Sequence, residues 1–240
     1  MRLDIITIFP AMFVGPFTES IIKRAQEQRI VTINVVNLRD FTHDRHHTVD
    51  DRPYGGGAGM VMKPEPLFEA VESLRSPPAR VILMTPQGTP FVQARARALA
   101  QYQHLILICG HYEGVDERVR LALVDEELSI GDYILTNGNL AAMVVADALI
   151  RLLPGALGCH DSVVEESFSD GLLEYPHYTR PEVFRDLAVP PVLLSGNHQE
   201  IVWWRHQQAV QRTRQIRPDL LISHRNPKQG EPPDEHHPEA

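Results

Sequence analysis

Val81-Ile82-Leu83-Met84-Thr85-Pro86-Gln87-Gly88 and Leu105-Ile106-Leu107-Ile108-Cys109-Gly110-His111-Tyr112-Glu113-Gly114 decide how this chain is read. Each begins with a short unbroken apolar run and passes at once into a polar turn that contains glycine. An apolar run without alternation suits a strand covered on both faces, as parallel strands are. Between the two, Phe91 to Tyr102 reads as a helix. Upstream, Leu3 to Phe9 reads as a strand, Pro10 opens a helix-like stretch to about Gln28, and Val31 to Asn37 is a second strand. Downstream, Leu140 to Leu153 is apolar almost all round, the pattern of a buried helix. The alternation predicts an α/β fold, a mostly parallel sheet with helices on both faces.

The composition suits a globular chain. Of 240 residues 43% are hydrophobic, enough for one large domain or a medium domain with a small one. No apolar run approaches the roughly 20 residues of a membrane helix, and Met1 to Pro10 has no signal-peptide pattern. Cys109 and Cys159 do not suggest a disulfide framework. A soluble cytoplasmic protein with no membrane partner is expected. The net charge of −8 argues against nucleic acid only if the charge is spread evenly. It is not, because Arg205, Arg212, Arg214, Arg217 and Arg225 form a locally basic stretch. Only three of the 23 basic residues are lysines; arginine suits bidentate phosphate contacts and stacking on bases.

Character changes after Pro154. Gly155 to Pro181 has no clear period and reads as a linker, followed by a short helix from Pro181 and another over Glu200 to Arg214. From Asn226 the chain is rich in proline and acid, and disorder is expected.

Four polar, glycine-rich segments are candidates for chemistry. Arg39 to Met60 contains a triple glycine, Gly55 to Gly57, which lets backbone amides approach an anion or nucleotide, although no Gly-Lys-Ser/Thr follows as in a P-loop. A GxGxxG turn after the first strand is absent too, so a Rossmann site is not predicted. Thr85 to Gly88, Gly110 to Arg118 and Ser129 to Gly138 complete the set; the first two directly follow buried runs. Ligands bind at the carboxyl ends of strands in open α/β sheets, and loops converging there would offer backbone groups to a neutral adenine ring. His43, His46, His47, His160 and His177 lack compact ligand spacing, so no metal site is predicted.

In these strings the chain resembles the bacterial tRNA (guanine-N1)-methyltransferases, members of the trefoil-knotted SPOUT methyltransferases. The strings are DFTHDRHHTVDDRPYGGGAGM, PQG, CGHYEGVDERV, SIGDYIL, RLLPGALG, ESFSDGLLEYPHYTRP and VPPVLLSGNH, lying between Asp40 and His198, and the resemblance runs from residue 1 to about 222. The resemblance implies a C-terminal trefoil knot in the cofactor domain, a small α-helical C-terminal domain, a homodimer, and methylation of tRNA at guanosine 37. The chain then divides into a methyltransferase domain over 1–155, a linker over 156–171, a tRNA-binding domain over 172–225 and a tail over 226–240.

The same resemblance assigns S-adenosylmethionine to Leu83, Met84, Thr85 and Pro86, to Gly110, Tyr112 and Gly114, and to Ile130, Gly131, Asp132, Tyr133, Ile134, Leu135 and Gly138. Where the family often has Gly-Gly-Glu-Leu-Pro, this chain has Asn137-Gly138-Asn139-Leu140-Ala141. Guanine N1 carries a proton at neutral pH, so the reaction needs a base, which the family supplies as an aspartate; Glu166 stands at that position. Arg151 stands where the family's arginine stabilises charge on guanine O6. Family members also use Mg2+. Two alternatives stay open: a SPOUT enzyme acting on another RNA, and a protein that binds cofactor and tRNA with weak turnover.

Overall fold

Five strands form the central sheet of this computed structural model, which describes residues 1–157 and 166–223. From the N-terminus, β1 (Arg2–Thr7) leads through a 3-10 turn (Pro10–Phe13), α1 (Val14–Phe17) and α2 (Ser20–Glu27) to β2 (Thr32–Asn37). A short antiparallel pair, β3 (Asp50–Asp51) and β4 (Val61–Met62), precedes α3 (Pro64–Leu74). Then follow β5 (Ala79–Pro90), α4 (Gln93–Leu99), β6 (His104–Cys109), α5 (Glu117–Leu123), β7 (Glu126–Ser129) and α6 (Asn139–Ile150). The sheet order is β2-β1-β6-β5-β7, and every pairing in it is parallel.

The unbroken apolar runs now have a physical explanation. Side chains alternate across a strand. Leu105, Leu107 and Cys109 pack with α2, α4 and α6 on one face, while Ile106 and Ile108 pack with α3 and α5 on the other. Both faces are therefore apolar, as expected.

Several expectations need correction. The stretch from Pro10 to Gln28 is not one helix but three short pieces. Thr18 Oγ1 donates to the carbonyl of Val14 at 2.6 Å, ending α1, and Glu19 is extended before α2 begins. The apolar helix is not buried all round, because Leu140 and Val144, four residues apart on α6, are each 48% exposed. The turn expected at Thr85–Gly88 lies inside β5. Met84 and Thr89 both pair with Leu128, so the four residues between them loop out as a bulge.

The chain divides into two compact units, Met1–His160 and Asp161–Ala240. In the second, the helix expected from Pro181 is instead a hairpin of β8 (Val183–Phe184) and β9 (Leu187–Ala188). Arg185 and Asp186 take φ of +49° and +63°, the two positive angles that a type I′ hairpin turn requires. The helix expected over Glu200 to Arg214 is longer, α7 (His198–Ile216), because the Asn197 side chain caps it by accepting from the amides of Gln199 and Glu200. A last helix, α8, spans Pro218–Ser223. An extended segment is fastened to α7: the amide of Leu173 donates to Thr213 Oγ1 at 2.8 Å, and Arg212 donates to the carbonyl of Glu174. The proposed tail over 226–240, Arg225, Cys159 and half of the linker (158–165) lie outside the described residues. Among those described, no helix is long and apolar enough to cross a membrane.

One buried polar contact joins the first strand to the last helix of the first unit. Thr7 Oγ1 donates to Asn139 Oδ1 at 2.8 Å, Asn139 Nδ2 approaches Met12 Sδ at 3.0 Å, and both Thr7 and Asn139 are fully buried. Asn139→Ala leaves the Thr7 hydroxyl without its acceptor and should cost about 1–3 kcal/mol, measured by urea unfolding. An unchanged urea midpoint would show that this contact does not hold α6 in place.

Candidate active site

Three loops meet at the carboxyl end of the sheet and enclose a cleft of about 470 Å³. The first is the β5 bulge, held at its far end where Thr89 Oγ1 donates to the carbonyl of Glu127 and the Phe91 amide to that of Ser129. The second, Gly110 to Asp116 after β6, is sewn to β4 and the residues before it. Glu113 N donates to Met60 O, Met62 N to Gly114 O and Asp116 N to Met62 O, all at 2.9–3.0 Å. The third, Ile130 to Gly138 after β7, closes on the second where Gly138 N donates to Gly110 O at 2.8 Å. That approach is too tight for a side chain without a shift: a Cβ at Gly138 would sit 3.0 Å from Gly110 N and from Cys109 Cα, and the loops would have to part by a few tenths of an ångström. Gly88 is more constrained still, since its Cβ would fall 2.4 Å from Leu128 N.

The cleft is lined by Leu83, Met84, Thr85 and Pro86, by Gly110, Tyr112 and Gly114, and by Ile130, Gly131, Tyr133, Ile134, Leu135 and Gly138. Asp132 is not among its lining residues. Sequence reading passed over His111, Glu113, Glu117, Arg120 and Glu127, which also line it. Their signal was present, since four of them sit inside or just after the glycine loop that follows β6. Glu117 and Glu127 both accept from Arg120 and hold its charge in place. Backbone and apolar walls fit an adenine ring, and carboxylates beside a guanidinium fit an amino acid moiety carrying both charges. S-adenosylmethionine has both parts, so the residues present suit it.

His111 is buried, and its Nδ1 lies 3.1 Å from the carbonyl of Cys109. Nδ1 therefore donates, leaving Nε2 as the acceptor, and Nε2 has no partner among the described residues. Burial pulls the imidazole below its ordinary value, with Arg39 acting in the same direction, so His111 is neutral at pH 7. Burial also pushes the Cys109 thiol far up, which removes it as a nucleophile.

The remaining candidates are dispersed. Arg151 caps the C-terminus of α6 in the first unit, its amide donating to Asp147 O. Glu166 belongs to the second unit, where it borders a cleft of about 200 Å³ with Asp170, Glu174, Tyr175 and Arg205. His43 meets Glu69, His47 meets Thr42, and His177 meets Glu174; His160 lies outside the described residues. Among the described residues no three His, Cys, Asp or Glu side chains converge to hold a metal. The triple glycine lies in the loop between β3 and β4, with Gly55, Gly56, Gly57 and Gly59 all at positive φ.

Residues 1–223 match the family described as tRNA (guanine-1)-methyltransferase TrmD. The chain is also similar to proteins named tRNA (guanine-N(1)-)-methyltransferase. That of Pelotomaculum thermopropionicum is 61% identical, covering 92% of this chain and 90% of the relative. That of Carboxydothermus hydrogenoformans is 61% identical over 92% and 87%, and that of Bacillus cereus 58% over 92% of both.

Two predictions follow from the geometry. A Cβ at Gly110 would meet nothing closer than 3.8 Å, so Gly110→Ala should fold normally and weaken S-adenosylmethionine in calorimetry, whereas Gly138→Ala should lower the melting temperature itself. Equal melting losses in both would contradict the assigned contacts. Because the folded His111 resists protonation, the unfolded chain binds the extra proton below about pH 6.5, and stability should fall as pH drops. Urea unfolding of His111→Gln should show a smaller loss between about pH 7 and pH 5 than the parent. An identical slope would remove His111 from the account.

Proposed function

Because the chain belongs to the tRNA (guanine-1)-methyltransferase family, we propose that it transfers a methyl group from S-adenosylmethionine to N1 of guanosine 37 of tRNA, beside the anticodon. The observation that carries this reading is the three-loop cleft at the sheet's carboxyl end in a chain matched to that family over residues 1–223. The domain over 1–155, with its third loop threaded as a trefoil knot, would hold the cofactor; the domain over 172–225 would hold tRNA. When bound, S-adenosylmethionine supplies a methyl on positively charged sulfur.

This chain's own residues do the rest. The backbone of Thr85, Gly110 and Gly138 fixes the adenosine, and Ile130 and Leu135 exclude water from its ring. Glu166 accepts the N1 proton of guanine, turning a poor nucleophile into a good one. Arg151 holds the charge that then develops on O6. Glutamate reaches one methylene further than the family aspartate while keeping the same proton chemistry, so the 166–171 segment must place its carboxylate accordingly. Nothing among the described residues gathers ligands for Mg2+, and no step runs through it. Glu166 and Arg151 belong to different units, and in the proposed two-fold homodimer Glu166 of one chain serves the cleft of its partner. Such chemistry belongs in the cytoplasm, where tRNA is processed.

Glu166→Gln keeps shape but cannot take a proton. It should lower single-turnover methylation by about 100-fold or more with cofactor affinity unchanged, while Glu166→Asp stays active. Glu165, outside the described residues, is the control: if Glu165→Gln abolishes methylation and Glu166→Gln does not, the base is misassigned. Light scattering should report twice the 27.1 kDa chain mass. An active species at the single-chain mass would contradict the shared site.

A further inference from the structure

The second unit contains a cleft of about 530 Å³ that the proposed methyl transfer does not use. Its walls come from the extended segment Tyr175 to Arg180, the flanks of the hairpin, the 3-10 turn Pro191–Leu194 and α7. Leu193, Leu194 and Ile201 make part of it apolar. Around them stand groups of a different kind. Tyr175 meets His177 in a tilted arrangement, 4.8 Å between ring centroids, and the Arg205 guanidinium lies 4.8 Å from the Tyr175 ring centroid. Tyr178 packs beside Trp204 and stays half exposed.

Arg205 carries the sharpest signal. Its Nε is shut off from solvent and has no acceptor among the described residues. A buried charged donor without a partner is costly, and an anion held by the same guanidinium from the cleft side offsets part of that cost. Arg180, exposed, adds a second cation to the cleft, and Glu182 adds a carboxylate acceptor. Aromatic faces, guanidinium donors, one carboxylate and an apolar floor are the features that recognise an unstacked nucleotide. The cleft also falls within the about 300–1,000 Å³ typical of ligand pockets. A paired base cannot use it, because its face is already covered by its neighbours in the helix.

We propose that this cleft binds one unpaired nucleotide of the tRNA substrate, with its base against Tyr178 and its phosphate between Arg180 and the Arg205 guanidinium. The proposal rests on the tRNA reading above and adds to it a second nucleotide site, separate from the three-loop cleft.

The test uses the full-length protein and a fluorescently labelled, unmodified tRNA transcript in anisotropy titrations at fixed salt. Tyr178→Ala and Arg205→Lys should each weaken transcript binding about tenfold, the worth of one stacked base, and leave S-adenosylmethionine affinity and melting temperature unchanged. Tyr178→Phe, which keeps the ring, should bind within about twofold of the parent. If Tyr178→Ala melts early, Arg205→Lys, which keeps charge and most of the bulk, decides the matter. A single-stranded loop oligonucleotide should compete for the site and the corresponding duplex should not. Parent-like transcript binding by both variants, or equal competition by duplex, would overturn the proposal. If the parent fails to methylate tRNA yet binds the single-stranded oligonucleotide through Tyr178, the nucleotide site stands and the substrate reading falls.

Discussion

The amide of Gly138 donating to the carbonyl of Gly110, at 2.8 Å and with a Cβ there only 3.0 Å from the facing backbone, is the contact on which the first unit's site depends. It locks the segment after β7 onto the segment after β6. The consequences run in both directions along the chain. Asn139, the next residue, begins α6 and reaches back to Thr7 at the end of β1, so the first strand, the third loop and the last helix of the unit are registered together. On the other side, Glu113, Gly114 and Asp116 tie the second loop to Met60 and Met62, fastening the end of the triple-glycine loop to it. Gly59 lies so close to Glu113 that a Cβ there would overlap its carboxylate. Glycine serves here to bring backbone against backbone, and a ligand cleft walled by backbone is the result.

Much of this was legible in the residues. Unbroken apolar runs with no alternation can only be covered on both faces, which pointed to the parallel sheet, and glycine turns at their ends marked the side on which the three loops meet. What was not legible depended on partners distant in sequence. Thr85 to Gly88 looks like a turn, yet it is a bulge because β7, absent from the sequence reading, pairs with β5 on both sides of it. The Glu126 in that strand is held by Arg80 and Arg95, an arrangement no local pattern reveals. The hairpin at Arg185-Asp186 was missed because neither residue is glycine, the usual signature of positive φ. Leu140 and Val144 show the limit of composition: an apolar helix can still leave two of its apolar residues uncovered in the single chain.

Where the chain departs from the resemblance, the structure supplies a local account in one case. Asn139 stands where the family often has glutamate, and it is fully buried, bonded through its oxygen to Thr7. A neutral amide can be buried with one or two partners, whereas a carboxylate there would need a cation. Glu166 differs in kind, since its change keeps the charge and moves it outward by one methylene. Net charge has a similar lesson. The sum of −8 hides arginines placed one by one, with Arg120 held between two glutamates at the three-loop cleft and Arg205 over the Tyr175 ring in the second unit.

The central claim is a methyl group on N1 of guanosine 37, and mapping that atom tests it most directly. A methyl at N1 blocks the pairing edge of guanine, so reverse transcription of the product halts beside the modified base. After incubation of a tRNA transcript with the protein and S-adenosylmethionine, primer extension should halt beside position 37, and replacing that guanosine should abolish both the halt and the incorporation of labelled methyl. Label incorporated with no halt at position 37, or undiminished incorporation into the replaced transcript, would contradict the account.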